Sequence, residues 1–140
     1  MSVQPNMRAH TTSIEIASSP AHTFAFVADG AKLPVWAIGF AKAIEPDGDR
    51  WLVTLASGER QRLRIDSDAR TGVVDYVMLP APDVEAPAHT RVLPHADGTL
   101  YTFSMHQTPD MPDAVFEAQV TELGRELTVL KAHLETACPL

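Results

Sequence analysis

A chain of 140 residues, 45% hydrophobic and 21% charged, suits one soluble domain that buries roughly two-thirds of the surface its unfolded form exposes. Its 11 Lys and Arg against 18 Asp and Glu leave a net charge of −7, which argues against a nucleic-acid surface, because affinity for phosphate rests on clustered basic side chains. The single Cys138 excludes an internal disulfide, residues 1–8 hold no apolar core of signal-peptide type, and no apolar run reaches membrane-spanning length; a cytoplasmic protein without a membrane span is expected.

Residues 1–10 read as a flexible N-terminus, and 11–137 as a single domain. The alternation at Ser13-Ile14-Glu15-Ile16-Ala17 predicts a strand. Ser19 can then cap a helix whose first position is Pro20, since proline lacks an N–H that would be unpaired there. Phe24 and Val27 share one face of that helix, and Asp29-Gly30 is expected to end it through a left-handed glycine. Pro34 opens or breaks the next turn, and Trp36 leads into a second strand.

From there the chain reads as strands over 40–45, 50–56, 59–66, 73–79, 89–94 and 99–106. Asp47-Gly48 and Asp97-Gly98 have the composition of tight hairpin turns, and Ser57-Gly58 and Arg70-Thr71-Gly72 are further breaks. Pro80-Ala81-Pro82 and Pro87 suggest a stiff loop longer than a hairpin needs. Arg60, Arg62 and Arg64 alternate as the wet face of one strand. The last element is a long helix. Phe116, Val120, Leu123, Leu127, Leu130 and Leu134 recur at spacings of four and three, which makes one face apolar throughout. Asp110 is the expected cap, with Asp113 three positions on.

The strand-to-helix junction Ile14-x-Ile16-x-x-Ser19-Pro20, the apolar helix closed by Asp29, the Pro34-x-Trp36 element and the Leu130-Lys131-x-x-Leu134-Glu135 finish together resemble the START-like superfamily called SRPBCC, in particular its polyketide cyclase/dehydrase branch. The resemblance covers nearly the whole domain. It implies an α+β helix-grip fold: a seven-stranded antiparallel sheet wrapped around a long C-terminal helix, with two short helices after the first strand. Such motifs mark a fold better than an activity.

Alternate loops of an antiparallel series fall at one end, so 56–59, 80–87 and 107–109 should gather near Trp36 and form the mouth of any cavity. If Ala56-Ser57-Gly58 is a three-residue loop with Gly58 left-handed, Val53 faces Gln61 and Trp51 faces Leu63. The arginines then point outward, and Trp51, Val53, Leu55, Leu63 and Ile65 point in. Phe40, Ile44, Tyr76, Met78, Phe103 and Met105 join the inner set by alternation. Gly124 is expected on the apolar side of the last helix, either for close packing or to leave room for a ligand. The candidate ligand-binding residues are therefore Trp36, Phe40, Val53, Leu63, Tyr76, Met78, Tyr101, Phe103, Met105, Phe116, Val120 and Gly124.

Tight pairing at Asp97-Gly98 would set His89 opposite His106, Thr90 opposite Met105 and Val92 opposite Phe103. The two histidines then look outward, and no metal site is expected. No dinucleotide fingerprint, phosphate loop or nucleophile elbow occurs, so no cofactor and no specific catalytic residue is implied. Acid–base chemistry on an apolar ligand would need an inward polar group, for which Tyr76, Tyr101, Gln61, His106 and Lys42 are the candidates. Two classes of function follow: a carrier or sensor enclosing a small hydrophobic or aromatic molecule, or a cyclase, dehydratase or hydrolase acting on one. A chaperone-partner role like that of the Hsp90 activator relatives finds no matching motif. A homodimer through the sheet edge or the outer side of the last helix is left open.

Overall fold

The computed structural model describes residues 7–137. Residues 1–6 of the expected flexible N-terminus and Cys138 lie outside the described residues. Strand β1 (Ala9–Ile16) starts earlier than its alternation suggests, because its first residues pair with the end of the seventh strand, Ala9 opposite His106. Ser19 Oγ accepts from the His22 N–H at 3.1 Å and opens α1 (Pro20–Val27) at its proline. The exit from α1 differs from the expected glycine stop. Ala28 closes the helix in a right-handed conformation, and the Asp29 carboxylate accepts from Ala31 N–H to start a 3-10 turn, Gly30–Lys32. Gly30 has no positive φ. A Cβ there would meet the Trp51 indole at 2.5–2.8 Å, so the glycine is needed for space. The four-residue α2 (Leu33–Trp36) follows directly.

The remaining strands are β2 (Ala41–Asp47), β3 (Arg50–Leu55), β4 (Arg60–Asp68), β5 (Val73–Ala81), β6 (Val84–His95) and β7 (Gly98–His106). They form one antiparallel sheet in the order β1-β7-β6-β5-β4-β3-β2. The β3–β4 register is the expected one, with Trp51 opposite Leu63, Val53 opposite Gln61 and Gly58 at φ 94°. Consequently Arg60 pairs with Glu45, Arg62 with Asp47 and Arg64 with Asp66 and Glu85, all on the outer face.

Two strand predictions need correction. The 80–87 segment is no stiff loop: β5 runs to Ala81 and β6 starts at Val84, with a turn at Pro82-Asp83. β6 tolerates two prolines because each falls where one neighbouring strand has ended. Pro87 pairs with Val77 of β5 beyond the end of the β7 ladder, and Pro94 pairs with Thr99 of β7 beyond the end of the β5 ladder. The β6–β7 register is displaced by two residues. His95 pairs with Gly98, so Ala96 and Asp97 form the turn and Ala96 takes the positive φ of 51°. Gly98 instead passes under β1, where a Cβ would collide with the Ile16 carbonyl. His89 therefore faces Ser104, Thr90 faces Phe103 and Val92 faces Tyr101. A shift of two keeps every side chain on its expected face.

The long helix α3 (Asp113–Ala137) begins after Asp110, with the N–H groups of Val115 and Phe116 donating to the Pro112 carbonyl. Asp110 accepts from Thr108 Oγ1 instead of capping the helix. Buried Leu123, Leu127, Leu130 and Leu134 pack on the sheet as their periodicity predicts. Gly124 does not: it is exposed, and a Cβ there would meet nothing within 4 Å. At 3.6 residues per turn, residue 124 stands about 100° round the helix from Leu123, past the edge of the apolar stripe.

Candidate functional site

Sequence registers carry four aromatic rings to one place beneath α3. Tyr76 on β5, Tyr101 and Phe103 on β7 share the inner face, and α2 delivers Trp36 against them. The Trp36 ring lies 6.4 Å from both Tyr76 and Tyr101; Phe103 lies 6.2 Å from Tyr76 and 6.3 Å from Tyr101, centroid to centroid. Tyr101 meets Trp36 and Phe103 edge to face, with positive ring edge against negative face, Trp36 is tilted on Tyr76, and Tyr76 and Phe103 stack at 23° between planes. The Tyr76 hydroxyl donates to the Val27 carbonyl, which ties the cluster to the end of α1, and its oxygen lies 3.4 Å from that of Tyr101. Burial holds both phenols protonated: it pushes Tyr76 well above its ordinary range and Tyr101 up to about 12.

Trp36 differs from its neighbours in one respect. It is 2% exposed, yet its indole Nε1 has no hydrogen-bond partner among the described residues. A buried donor without an acceptor costs about 1–3 kcal/mol. Two further orphans, Ser18 Oγ and His22 Nε2, belong to the β1–α1 junction at the opposite end of the sheet.

The other expected residues divide into two groups. Val53 and Leu63 are fully buried in the same core, and Phe40, Met78 and Met105 are half-buried against it. Phe116 is buried outside that contiguous cluster, under the Arg8 guanidinium at 5.2 Å from its ring centroid, and Val120 is half-buried beside it on α3. Gly124 is on the outer side. Of the polar candidates, Tyr76 and Tyr101 are inside, whereas Lys42 and His106 are exposed and Gln61 sits at the sheet margin facing Val53. His89 and His106 approach to 5.6 Å on the outer face, with His89 Nδ1 bonded to Asp75 at 3.1 Å. Among the described residues no group of three or more His, Cys, Asp or Glu is placed to hold a metal ion.

Glu126 was not among the sequence candidates. It is 7% exposed on the flank of α3 that faces α2, where its carboxylate accepts from the Gly39 N–H at 3.0 Å. Burial is the largest influence on it and nearby Glu122 adds to it; the backbone N–H groups of Gly39 and Phe40 and the charge of Arg125 oppose them. The result is a carboxyl pushed up to about 7. The sequence did carry a signal, since residue 126 stands three after Leu123 and four before Leu130, at the edge of the apolar stripe. The opposite flank of α3 is bound to β1 by charged groups: Arg8 to Glu117, Lys131 to the Glu15 carbonyl, and Glu135 to Ala17 N–H.

Two shallow hollows lie on the outer side of α3. One is lined by Ile38, Gly124 and Thr128, the other by Gly39, Val115 and Ala118. The space expected beneath the helix is occupied instead by the aromatic cluster. The four-residue α2 carries Trp36 against the other rings.

No family model and no curated protein matches this chain. Solved structures do. The protein XoxI from Bacillus cereus superposes with a TM-score of 0.73 at 17% identity, covering 91% of this chain and 96% of its own. A START superfamily protein from Mycobacterium smegmatis gives 0.69 at 13%, covering 92% and 98%. The Aha1 dimer from Colwellia psychrerythraea gives 0.69 at 16%, covering 92% and 97%. No helix of the described residues is long and apolar enough to cross a membrane. An order of strand, short helices, six-strand meander and long closing helix, matched over nine-tenths of each of these structures, is a helix-grip fold, and this chain shares it with them.

Proposed function

We propose that the protein binds a small hydrophobic or aromatic molecule between the sheet and α3, acting in the cytoplasm as a carrier or sensor. The observation that carries this reading is the cluster of Trp36, Tyr76, Tyr101 and Phe103, covered by a helix of only four residues. Rings packed around one another offer faces and edges to a flat apolar guest, and burial of that guest is worth about 25 cal/mol per Å². Entry requires the α2 segment to swing outward, since it closes the rings from above. Its polar hold on α3 is the bond from the Gly39 N–H to the Glu126 carboxylate at 3.0 Å. Native mass spectrometry of protein purified from its own host tests the reading. A retained apolar molecule is the expected result; protein that is repeatedly empty and takes up no apolar probe overturns it.

A second reading is favoured by Glu126 alone. A carboxyl pushed up to about 7 exchanges protons near neutrality, as a general acid or base must. In that case the protein is a cyclase, dehydratase or hydrolase of the same kind of molecule, and turnover would vanish in Glu126→Gln while binding persisted.

A further inference from the structure

We propose that the bound molecule is neutral and carries a hydrogen-bond acceptor, a ketone or ester oxygen rather than a carboxylate, which takes the proton of the Trp36 indole. This rests on the binding reading above and specifies what the interior selects. Trp36 Nε1 is a donor, buried, and without an acceptor among the described residues. No neighbouring hydroxyl oxygen accepts from it, and two of those hydroxyls have their own protons committed elsewhere. Tyr76 spends its proton on the Val27 carbonyl, and Thr90 Oγ1 spends its own on the Val74 carbonyl at 2.6 Å. The Trp36 indole is thus a buried donor without an acceptor, which an oxygen of an incoming molecule satisfies at the moment α2 closes over it.

The charge of the interior excludes an anion. Among the described residues the buried polar and charged side chains are Ser18, Thr23, Thr90, Thr99, Gln107 and Glu126. None is a cation. The single charged type is a carboxyl, held on the flank of α3 that faces the segment after Trp36. A carboxylate ligand would leave water, find no partner charge and meet a group of its own sign. A ketone or ester loses little on leaving water and regains it at the indole. A pure hydrocarbon leaves the indole unpaired.

Isothermal titration of the whole protein with methyl naphthyl ketone, isopropylnaphthalene and naphthoate separates these cases, since the three probes share one ring system. The expected order is ketone tightest, hydrocarbon about tenfold weaker and naphthoate weakest. In Trp36→Phe the ketone and hydrocarbon should bind alike. A second readout uses the native protein: of its two indole signals in a ¹H–¹⁵N spectrum, that of Trp36 shifts with the ketone and not with the hydrocarbon, while Trp51 serves as control. Equal affinities in the native protein, a ketone preference that survives Trp36→Phe, a Trp36 signal indifferent to the ketone, or naphthoate binding tightest would each overturn the proposal and leave the binding reading intact. Failure of all three probes to bind overturns both.

Discussion

Replacing Glu126 by Gln should convert a pH-dependent stability into a flat one. The carboxyl ionises near 4.5 when unfolded but near 7 in the folded protein, because burial disfavours the charged form. Between those values the unfolded chain gives up its proton while the folded chain keeps it. The contribution of this group to stability is therefore greatest below pH 4.5, declines as pH rises toward 7, and levels off above. At 1.36 kcal/mol per pH unit, a window from 4.5 to about 7 amounts to about 3 kcal/mol. Gln keeps an oxygen for the Gly39 N–H and carries no charge, so it should match the wild type near pH 5 and exceed it by up to about 3 kcal/mol at pH 8. Urea unfolding at pH 5, 6, 7 and 8, with the wild-type curve subtracted from that of Glu126→Gln, isolates the group from all others. A difference that stays constant with pH would refute the argument, since it would mean that this carboxyl has an ordinary pKa in the folded state.

Gly124 and Gly30, two of the glycines whose roles differ from the sequence expectation, should respond in opposite directions. Gly124→Ala adds a methyl into open space on a helix and should stabilise by about 1 kcal/mol, whereas Gly30→Ala drives a Cβ into the Trp51 ring and should cost about 1–3 kcal/mol with a visible change in tryptophan fluorescence. Thermal melts of both decide the matter. Tyr76→Phe removes the donor to the Val27 carbonyl and leaves that buried oxygen unpaired, which should cost about 1–3 kcal/mol in chemical denaturation. Leu130→Ala, at a fully buried position of α3, should cost about 2–5 kcal/mol.

How far the sequence carried can be judged from individual residues. The leucines of α3, the Ser19-Pro20 start and the inward set from Trp51 to Met105 were legible because each depends on a local period or a local cap. The parity of β6 and β7 survived even though their register slipped by two, since a shift of two exchanges partners and not faces; in β2 a bulge at Lys42 breaks the alternation. Features that depend on contacts between distant segments were not legible. Gly98 looks like a turn glycine until the Ile16 carbonyl is found above it, and Gly30 looks like a helix stop until Trp51 is found against it. Pro80, Pro82 and Pro87 suggested a loop because proline breaks a fully paired ladder, and only the unequal lengths of the neighbouring strands make room for Pro87 in β6. At the candidate site, the four rings were all named from the sequence, and the unpaired indole was not, because an absence of partners is a property of the packed interior. Glu126 was hidden for a related reason: charge at the margin of an apolar stripe reads as solvated until an opposing backbone, here at Gly39, is seen to cover it.

Intermolecular NOEs between bound methyl naphthyl ketone and the protein measure directly where an apolar guest is held. Contacts to the rings of Trp36, Tyr76, Tyr101 and Phe103 are the expected result. Contacts confined to Val115, Ala118 and Gly124, in the hollows on the outer side of α3, would contradict it.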